Sequence, residues 1–235
     1  MEAVAVMRTI ALASSSTAVG TIDSATVVIP AGGYFHSTSR FRPLSAGTTQ
    51  ISASDVRGTS YSYTTGTQNI SVTTPVLGVS WSTGVQTVGV GQWVEPYVGA
   101  PNLPATPLSV AIAHSGAASS TPASVTIPTN TTIAYVRITG ASIGADSLTF
   151  SAPGHVSVVG AVAVGQGRVD GIGSWPTTLN ATPIAVTLYA RDQGGNIRNV
   201  AAATTVDVAV SSGALELRAT SGAGAALTSV TIPAD

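Results

Sequence analysis

Val125-Thr126-Ile127-Pro128 is the segment of the sequence that decides the fold, because it occurs three times. It recurs as Val27-Val28-Ile29-Pro30 and as Val230-Thr231-Ile232-Pro233, so that the three prolines lie 98 and 105 residues apart. Self-similarity at a nearly constant spacing is typical of an internal repeat. The chain is therefore predicted to contain three copies of one structural unit.

Other repeated segments support this interpretation. Residues 46–54 parallel residues 143–151, and their glycines, Gly47 and Gly144, lie 97 residues apart. Two shorter pairs, residues 88–92 with 162–166 and residues 105–110 with 181–186, are offset by 74 and 76 residues. The unequal offsets indicate that the copies differ in the lengths of their loops.

Between these segments, apolar residues alternate with small or polar ones. Runs of this kind occupy residues 109–113, 132–138, 147–150, 205–210 and 215–218. A period of two places alternate side chains on opposite faces of a strand. Gly, Pro, Ser, Asn and Asp cluster between the runs as turn formers, and no segment has helical spacing. The sequence predicts an all-β fold of stacked sandwiches.

The order of these segments resembles a known family. Residues 125–128, followed by an alternating strand, Gly140 to Gly144 and residues 148–154, are similar to the second half of a bacterial immunoglobulin-like repeat of the Big type. Residues 186–196 resemble the early strand and turn of such a repeat. The resemblance spans nearly the whole chain. It implies tandem immunoglobulin-like sandwiches that act as spacers or adhesive modules of large bacterial surface proteins. It implies no catalytic residues, and a location outside the cell or at its surface, with the periplasm as an alternative.

The repeat register predicts three domains, at residues 1–76, 77–160 and 161–235. The first copy has few residues before Pro30, so its early strands are expected to be short or missing. The third copy ends two residues after Pro233, so its late strands are expected to be missing. We expect either a stretch of a longer chain or head-to-tail association of copies, so the expected partners are other protein domains or the chain itself.

Composition excludes several classes of function. Only 8% of the 235 residues are charged and the net charge is -1, which gives no electrostatic attraction to nucleic acid or to an anionic membrane. All nine basic residues are Arg, and there is no Cys, so lysine and thiolate chemistries are excluded. No apolar run is long enough for a membrane-spanning helix. The segment from Met1 to Gly20 is interpreted as a strand rather than as a clear signal peptide.

The histidines give no catalytic or metal-binding pattern. His36, His114 and His155 lie in different copies or loops, and none has another His or a carboxylate at ligand spacing. Solvated histidines are therefore expected, with a metal ligand or a general base as the alternative. Serines are abundant but none is paired in sequence with a His and an Asp, although a triad assembled in space stays open. We predict no enzyme activity.

One segment is a candidate for calcium. Asp192 and Asn196 in Asp192-Gln193-Gly194-Gly195-Asn196 offer two oxygen-bearing side chains, whereas calcium takes six to eight oxygen ligands. A hairpin turn that requires positive φ explains the glycines better. Asp146 and Asp170 are further candidates for an interdomain site, without support from spacing. No cofactor is expected, and calcium is the alternative.

A few aromatic residues are candidates for binding surface glycans by stacking. The candidates are Tyr61, Tyr63, Trp93 and Trp175. Packing in a core or at a domain junction is the alternative, because sandwiches commonly bury a Trp. Three functions are open at this point: a rigid stalk or scaffold, a carbohydrate-binding or adhesion module, and an accessory subunit of a larger assembly.

Overall fold

The computed structural model describes residues 4, 6–56, 64–172, 186–209, 218–220 and 223–235. Within these ranges the chain forms strands and turns and no helix, so none of the described elements is a helix that could cross a membrane. The prediction of an all-β fold is confirmed. The chain divides into two compact units, Met1–Thr74 and Pro75–Asp235.

The first unit is a four-stranded antiparallel sheet in the order β3-β1-β5-β6, with a separate pair of strands, β2 and β4. Its strands are β1 (Arg8–Ser14), β2 (Gly20–Ile22), β3 (Thr26–Ile29), β4 (Phe41–Pro43), β5 (Gly47–Asp55) and β6 (Gly66–Val72).

The second unit contains eighteen strands among its described residues. They are β7 (Gly78–Val79), β8 (Val85–Gly89), β9 (Gln92–Val94), β10 (Tyr97–Gly99), β11 (Leu108–His114), β12 (Ser119–Ser120), β13 (Ser124–Ile127), β14 (Ile133–Tyr135), β15 (Ile138–Gly140), β16 (Gly144–Ser151), β17 (Val158–Gly165), β18 (Arg168–Ile172), β19 (Thr187–Arg191), β20 (Asn199–Val200), β21 (Thr204–Asp207), β22 (Arg218–Thr220), β23 (Ala223–Ala226) and β24 (Ser229–Ile232).

The strands of the second unit form a sandwich. One sheet has the order β13-β11-β16-β17-β8, a second has the order β12-β15-β9-β20, and a third has the order β14-β10-β7. Successive strands from β11 to β16 change sheet, as expected for an immunoglobulin-like sandwich. Alternate side chains of β11 and β16, such as Val110, Leu148 and Phe150, are fully buried in one apolar core. Burial of each such side chain contributes roughly 1.5–3 kcal/mol.

Three antiparallel strand pairs share one register. Each segment that precedes a repeated proline is a strand, and its last residue, Ile29, Ile127 or Ile232, pairs with the first residue of β1, β11 or β21. β13 and β24 lie in different sheets. The sequence repeat is therefore also a repeat of strand pairing.

Two glycines occupy equivalent positions at the start of β5 and β16. Gly47 and Gly144 have φ values of +151° and +155°, which residues with a side chain rarely adopt. Each begins the strand that pairs with β1 or β11, so the residues that follow them correspond one to one at the 97-residue offset. The same correspondence relates β6 to β17.

The expected boundary after residue 160 falls inside β17. Residues 161–165 continue that strand and pair in parallel with β8. The apolar alternation of residues 158–165 is continuous, and it belongs to the middle sandwich up to Gly165. The division of the chain into three domains stays a prediction.

Candidate functional site

A polar cluster at the end of β11 is centred on Asp146. The Asp146 side chain is fully buried, and its carboxylate accepts hydrogen bonds from His114 Nδ1 (2.9 Å), Ser119 Oγ (2.8 Å) and the Gly116 amide (2.9 Å). The carboxylate also accepts hydrogen bonds from Ser115 Oγ (3.2 Å) and from the amide of the adjacent residue, Ser147 (2.8 Å). The carboxylate thus holds the turn that follows β11.

This cluster corrects the expectation that no histidine lies near a carboxylate. His114 and Asp146 are 32 residues apart in sequence, but the pairing of β11 with β16 brings their side chains together. His114 Nε2 also lies 2.9 Å from Thr121 Oγ1. The order hydroxyl, imidazole, carboxylate is that of a nucleophilic triad.

The pKa of the Asp146 carboxyl lies well below its usual range. Burial acts to raise the pKa, but the hydrogen bonds from His114, Ser119 and the Gly116 amide together outweigh it, and the nearby His114 charge adds to them. The carboxylate is therefore stabilised in its ionised form by the groups around it.

The first unit shows what the cluster does. At the position equivalent to Asp146 it has Thr49, which is also buried and whose Oγ1 contacts Ser14 Oγ (2.8 Å), Ser15 Oγ (3.3 Å) and the Ser16 amide (3.0 Å). These three residues occupy the positions of His114, Ser115 and Gly116, which make the same contacts with Asp146. A threonine with no histidine performs the same structural task.

The Thr121 hydroxyl beside His114 has a second acceptor. Thr121 Oγ1 lies 2.9 Å from the Pro122 carbonyl and 2.9 Å from His114 Nε2, so its single proton has two acceptors within reach. The groove beside Trp93 and the groove beside Tyr97 are lined by neither His114 nor Thr121. The cluster stabilises a turn.

A second buried carboxylate, Asp192, lies in the turn after β19. Its side chain is fully buried, and it accepts hydrogen bonds from Thr87 Oγ1 (2.7 Å), the Asn196 amide (2.9 Å) and Arg198 Nε (2.9 Å). Asn196 Nδ2 also contacts both carboxylate oxygens, at 3.2 and 3.1 Å. Gly195 has a φ of +82°, so the glycine pair serves a turn.

These contacts determine the pKa of Asp192 and bear on the calcium candidate. Burial acts to raise the pKa of Asp192, but hydrogen bonds from Thr87 and Asn196, with the Arg198 charge, lower it overall. Both oxygens already accept donors, and a cation would have to displace the Arg198 guanidinium. Within the described ranges, no three His, Asp or Glu side chains are grouped as metal ligands. Asp170 instead forms ion pairs with Arg168 (2.9 Å) and Arg191 (3.6 Å).

The aromatic candidates are only partly described. Tyr61, Tyr63 and Trp175 lie outside the described residues. Trp93 donates from Nε1 to the main-chain oxygen of Asp235 at 3.0 Å, and the Arg137 guanidinium lies 4.0 Å above its ring. One face and the polar edge of Trp93 are therefore already in contact with the protein. Its ring borders a shallow groove of about 300 Å³ shared with Glu95, Ile197 and Asn199.

The remaining histidines form hydrogen bonds with neighbours in their own loops. His36 Nε2 lies 2.8 Å from Thr38 Oγ1, and His155 Nδ1 lies 2.9 Å from the Pro153 carbonyl.

Sequence reasoning missed the contact of His114 with Asp146 and that of Thr87 with Asp192, because these partners lie 32 and 105 residues away from the carboxylates. The sequence contained one signal of the Asp146 cluster: the alignment of Gly47 with Gly144 makes Thr49 the equivalent of Asp146.

Comparisons with known proteins give only distant likenesses. No protein-family model matches the sequence, and no curated protein matches it. The S-layer protein rSbsC is 17% identical with a TM-score of 0.37, over 95% of this chain and 28% of that chain. The D00-D0 domain of intimin is 11% identical with a TM-score of 0.30, over 67% of this chain and 93% of that chain.

A β-glucuronidase from Parabacteroides merdae is 12% identical with a TM-score of 0.31, over 67% of this chain and 21% of that chain. At identities and TM-scores this low, the likenesses support no conclusion about activity, location or partner.

Proposed function

We propose that the chain is a non-catalytic structural module, a stretch of a stalk or scaffold in which successive repeats are fixed to one another. The observation that carries the proposal is the joint between the middle and third repeats, within the second unit. There, β20 pairs with β9 through Asn199 and Trp93 and through Val200 and Gln92. A repeat that extends the sheet of its neighbour has little freedom to swing.

Buried polar contacts reinforce this joint. Thr87 Oγ1 on the middle repeat donates to Asp192 at 2.7 Å, and Gln92 Nε2 donates to the Arg191 carbonyl at 3.0 Å. Hydrogen bonds to a buried charged group contribute about 1.5–3 kcal/mol each. A flexible linker would make no such contacts, since its polar groups are solvated.

Glycines bring the two repeats into close contact. A Cβ on Gly165 would lie 2.3 Å from Gln193 Oε1, and a Cβ on Gly89 would lie 2.8 Å from the Gly167 Cα. Where the chain passes from one repeat to the next, the backbones of the two repeats are in close contact. Close packing of this kind transmits displacement instead of absorbing it.

Distance measurements between spin labels test the stiffness of the joint. The chain has no Cys, so Ser109→Cys and Thr231→Cys place one label on an exposed site of each repeat. We expect one narrow distance distribution by pulsed electron spin resonance. Thr87→Ala with Gln92→Ala removes the contacts from the middle repeat and should broaden that distribution at least about twofold, because both buried hydrogen bonds are lost.

The matched control is Thr67→Ala with Gln68→Ala in β6, where both side chains are exposed. It should leave the distribution unchanged. A distribution as broad in the unaltered chain as in the joint variant would show that the repeats move freely, and it would rule out a rigid stalk.

We further propose that the module has no enzyme activity and no resident cofactor, and that it works outside the cell or at its surface. The structural role of the Asp146 cluster supports the first point, and Arg198 at Asp192 supports the second. Addition of millimolar calcium should leave the melting temperature unchanged, because binding to the folded state would raise it. A calcium-dependent rise that Asp192→Asn abolishes would contradict this proposal.

Adhesion to surface glycans and packing on a larger assembly are the alternatives. Trp93 gives the first little support, because Arg137 covers one face of its ring. Binding on a glycan array would favour adhesion, and co-purification with a defined complex would favour the assembly.

A further inference from the structure

The outer edge of β6 in the first unit is the counterpart of an edge that the middle repeat covers. β6 pairs with β5 as β17 pairs with β16, so that Ile70 and Val72 correspond to Val162 and Val164. In the middle repeat, β8 lies along the outer edge of β17, in parallel, over five residues. Among the described residues, no strand lies along the outer edge of β6.

Burial differs accordingly between the two repeats. Val162 and Val164 are 1% and 3% exposed, whereas Ile70 and Val72 are only half-buried. The same holds in the neighbouring strands, where Val110 is fully buried and its counterpart Ile10 is half-buried. The first unit thus has a half-exposed apolar face, and the equivalent face of the middle repeat is buried.

β6 also lacks the features that protect a free strand edge. Natural edges are short, or carry a proline, a bulge or charged side chains. β6 is seven residues long, has no charge and no proline, and pairs with β5 without a register shift. By contrast, the open edge of β4 in the same unit ends in Arg42 and Pro43.

We propose that the edge of β6 is a docking site for one added β-strand of the β8 type, which runs parallel to β6. The occupant is an uncharged segment with the pattern Val-polar-Thr-Val-Gly, supplied by another repeat of this kind outside the first unit. The correspondence with β17 fixes the register, because Ala161 to Val164 pair with Val85 to Val88 and are equivalent to Asn69 to Val72.

In the middle repeat, the chain that follows β8 turns toward the second sheet. An occupant of the β6 edge cannot make the same turn. In the middle repeat, a Cβ on Gly140 would lie 2.3 Å from the Gly89 carbonyl oxygen, and the equivalent residue in the first unit is Pro43. The proline blocks that approach. Addition is therefore confined to the sheet that contains β6.

A synthetic peptide with the sequence of residues 83–91, which includes β8, tests the proposal on the full chain. We expect saturable binding of the fluorescent peptide, measured by anisotropy, and slower amide exchange in residues 66–72 when it is bound. A scrambled peptide of the same composition should not bind. Absence of binding, or equal binding of the scrambled peptide, would overturn the proposal.

Two matched double variants identify the edge. Asn69→Lys with Ser71→Lys places charges on exposed positions of β6 and should weaken binding at least about tenfold, because charged edges resist strand addition. Thr26→Lys with Val28→Lys places the same charges on exposed positions of the opposite edge strand, β3, and should have no effect.

Equal weakening by both variants would show that binding does not depend on the β6 edge. Concentration-dependent association of the chain alone, with residues 66–72 protected and exchange in residues 85–89 unchanged, would show that the β6 edge associates with a second copy without a strand of the β8 type, and it would overturn the proposed occupant. The stalk proposal does not depend on either result.

Discussion

At the scale of single residues, the exchange of Thr49 for Asp146 between equivalent positions is the most informative difference between the repeats. Both side chains tie the end of one strand to the turn that follows it, but only Asp146 is charged. Removal of a buried carboxylate that accepts several hydrogen bonds should cost more stability than removal of a hydroxyl, because more donors are left without an acceptor.

Asp146→Asn should therefore destabilise the second unit by about 2–3 kcal/mol, because the amide cannot accept all five donors. Urea unfolding measures the change. Asp170→Asn is the control, since its partly exposed ion pairs contribute about 1 kcal/mol or less. Equal losses in both variants would mean that the Asp146 cluster has no special structural role.

The same carboxylates make stability depend on pH. The pKa values of Asp146 and Asp192 are lower in the folded chain than the ordinary value of about 3.9. Below that value the unfolded chain binds more protons, so stability falls as the pH falls. The melting temperature should be flat from pH 7 to 5 and should drop from about pH 4 downward. With Asp146→Asn and Asp192→Asn together, the drop should be shallower; an unchanged slope would contradict the prediction.

At the scale of strands, the β17 strand and Trp81 show how a glycine serves packing. A Cβ on Gly160 would lie 2.6 Å from the Trp81 ring, which packs edge-on against Phe150 and donates to the Ala161 carbonyl. The first unit has Gln68 and Ala53 at the positions of Gly160 and Phe150. The first unit therefore lacks both the glycine and the phenylalanine that contact the buried tryptophan of the middle repeat.

Gly160→Ala should displace the Trp81 ring and cost about 1–3 kcal/mol, because the added methyl group overpacks the core. Tryptophan fluorescence should shift to longer wavelength, and urea unfolding should give the loss in stability. Gly84→Ala is the control, since a Cβ there meets no atom within 4 Å. An unshifted spectrum in Gly160→Ala would show that the ring tolerates the methyl group.

The strands were predictable from the sequence to the extent that neighbours in sequence determine them. The alternation of residues 147–150 and the equivalence of Gly47 and Gly144 gave β16 and its counterpart β5. The boundary after residue 160 could not be placed in this way, because residues 161–165 alternate whichever repeat they belong to. Their parallel pairing with β8 joins segments 76 residues apart, and no local pattern encodes it.

At the scale of the whole chain, the two units differ in how fully their cores are covered. Ile10 and Leu12 of β1 are half-buried, whereas Val110 and Ile112 of β11 are buried. Local stability follows the number of buried apolar contacts that must be broken for a segment to open. The first unit should therefore open more readily than the second.

Amide exchange followed by mass spectrometry measures this difference strand by strand. Exchange in β1 and β5 should be at least about tenfold faster than in β11 and β16, which corresponds to about 1.4 kcal/mol in local stability. Binding of the β8 peptide should reduce the difference. Equal protection in the two units would mean that half-coverage of the first core has little energetic effect.

The backbone at Gly47 and Gly144 has a consequence for chirality. At φ values of +151° and +155° the backbone has a positive φ, which L-amino acids rarely adopt and D-amino acids adopt readily. A D-alanine introduced by chemical ligation at either position would adopt the existing φ without the strain that L-alanine would suffer. By restricting the unfolded chain it would stabilise the fold by about 0.4–1 kcal/mol. Each repeat with such a glycine thus contains one position at which no natural amino acid gives the highest stability, because glycine is the single achiral member of the natural set.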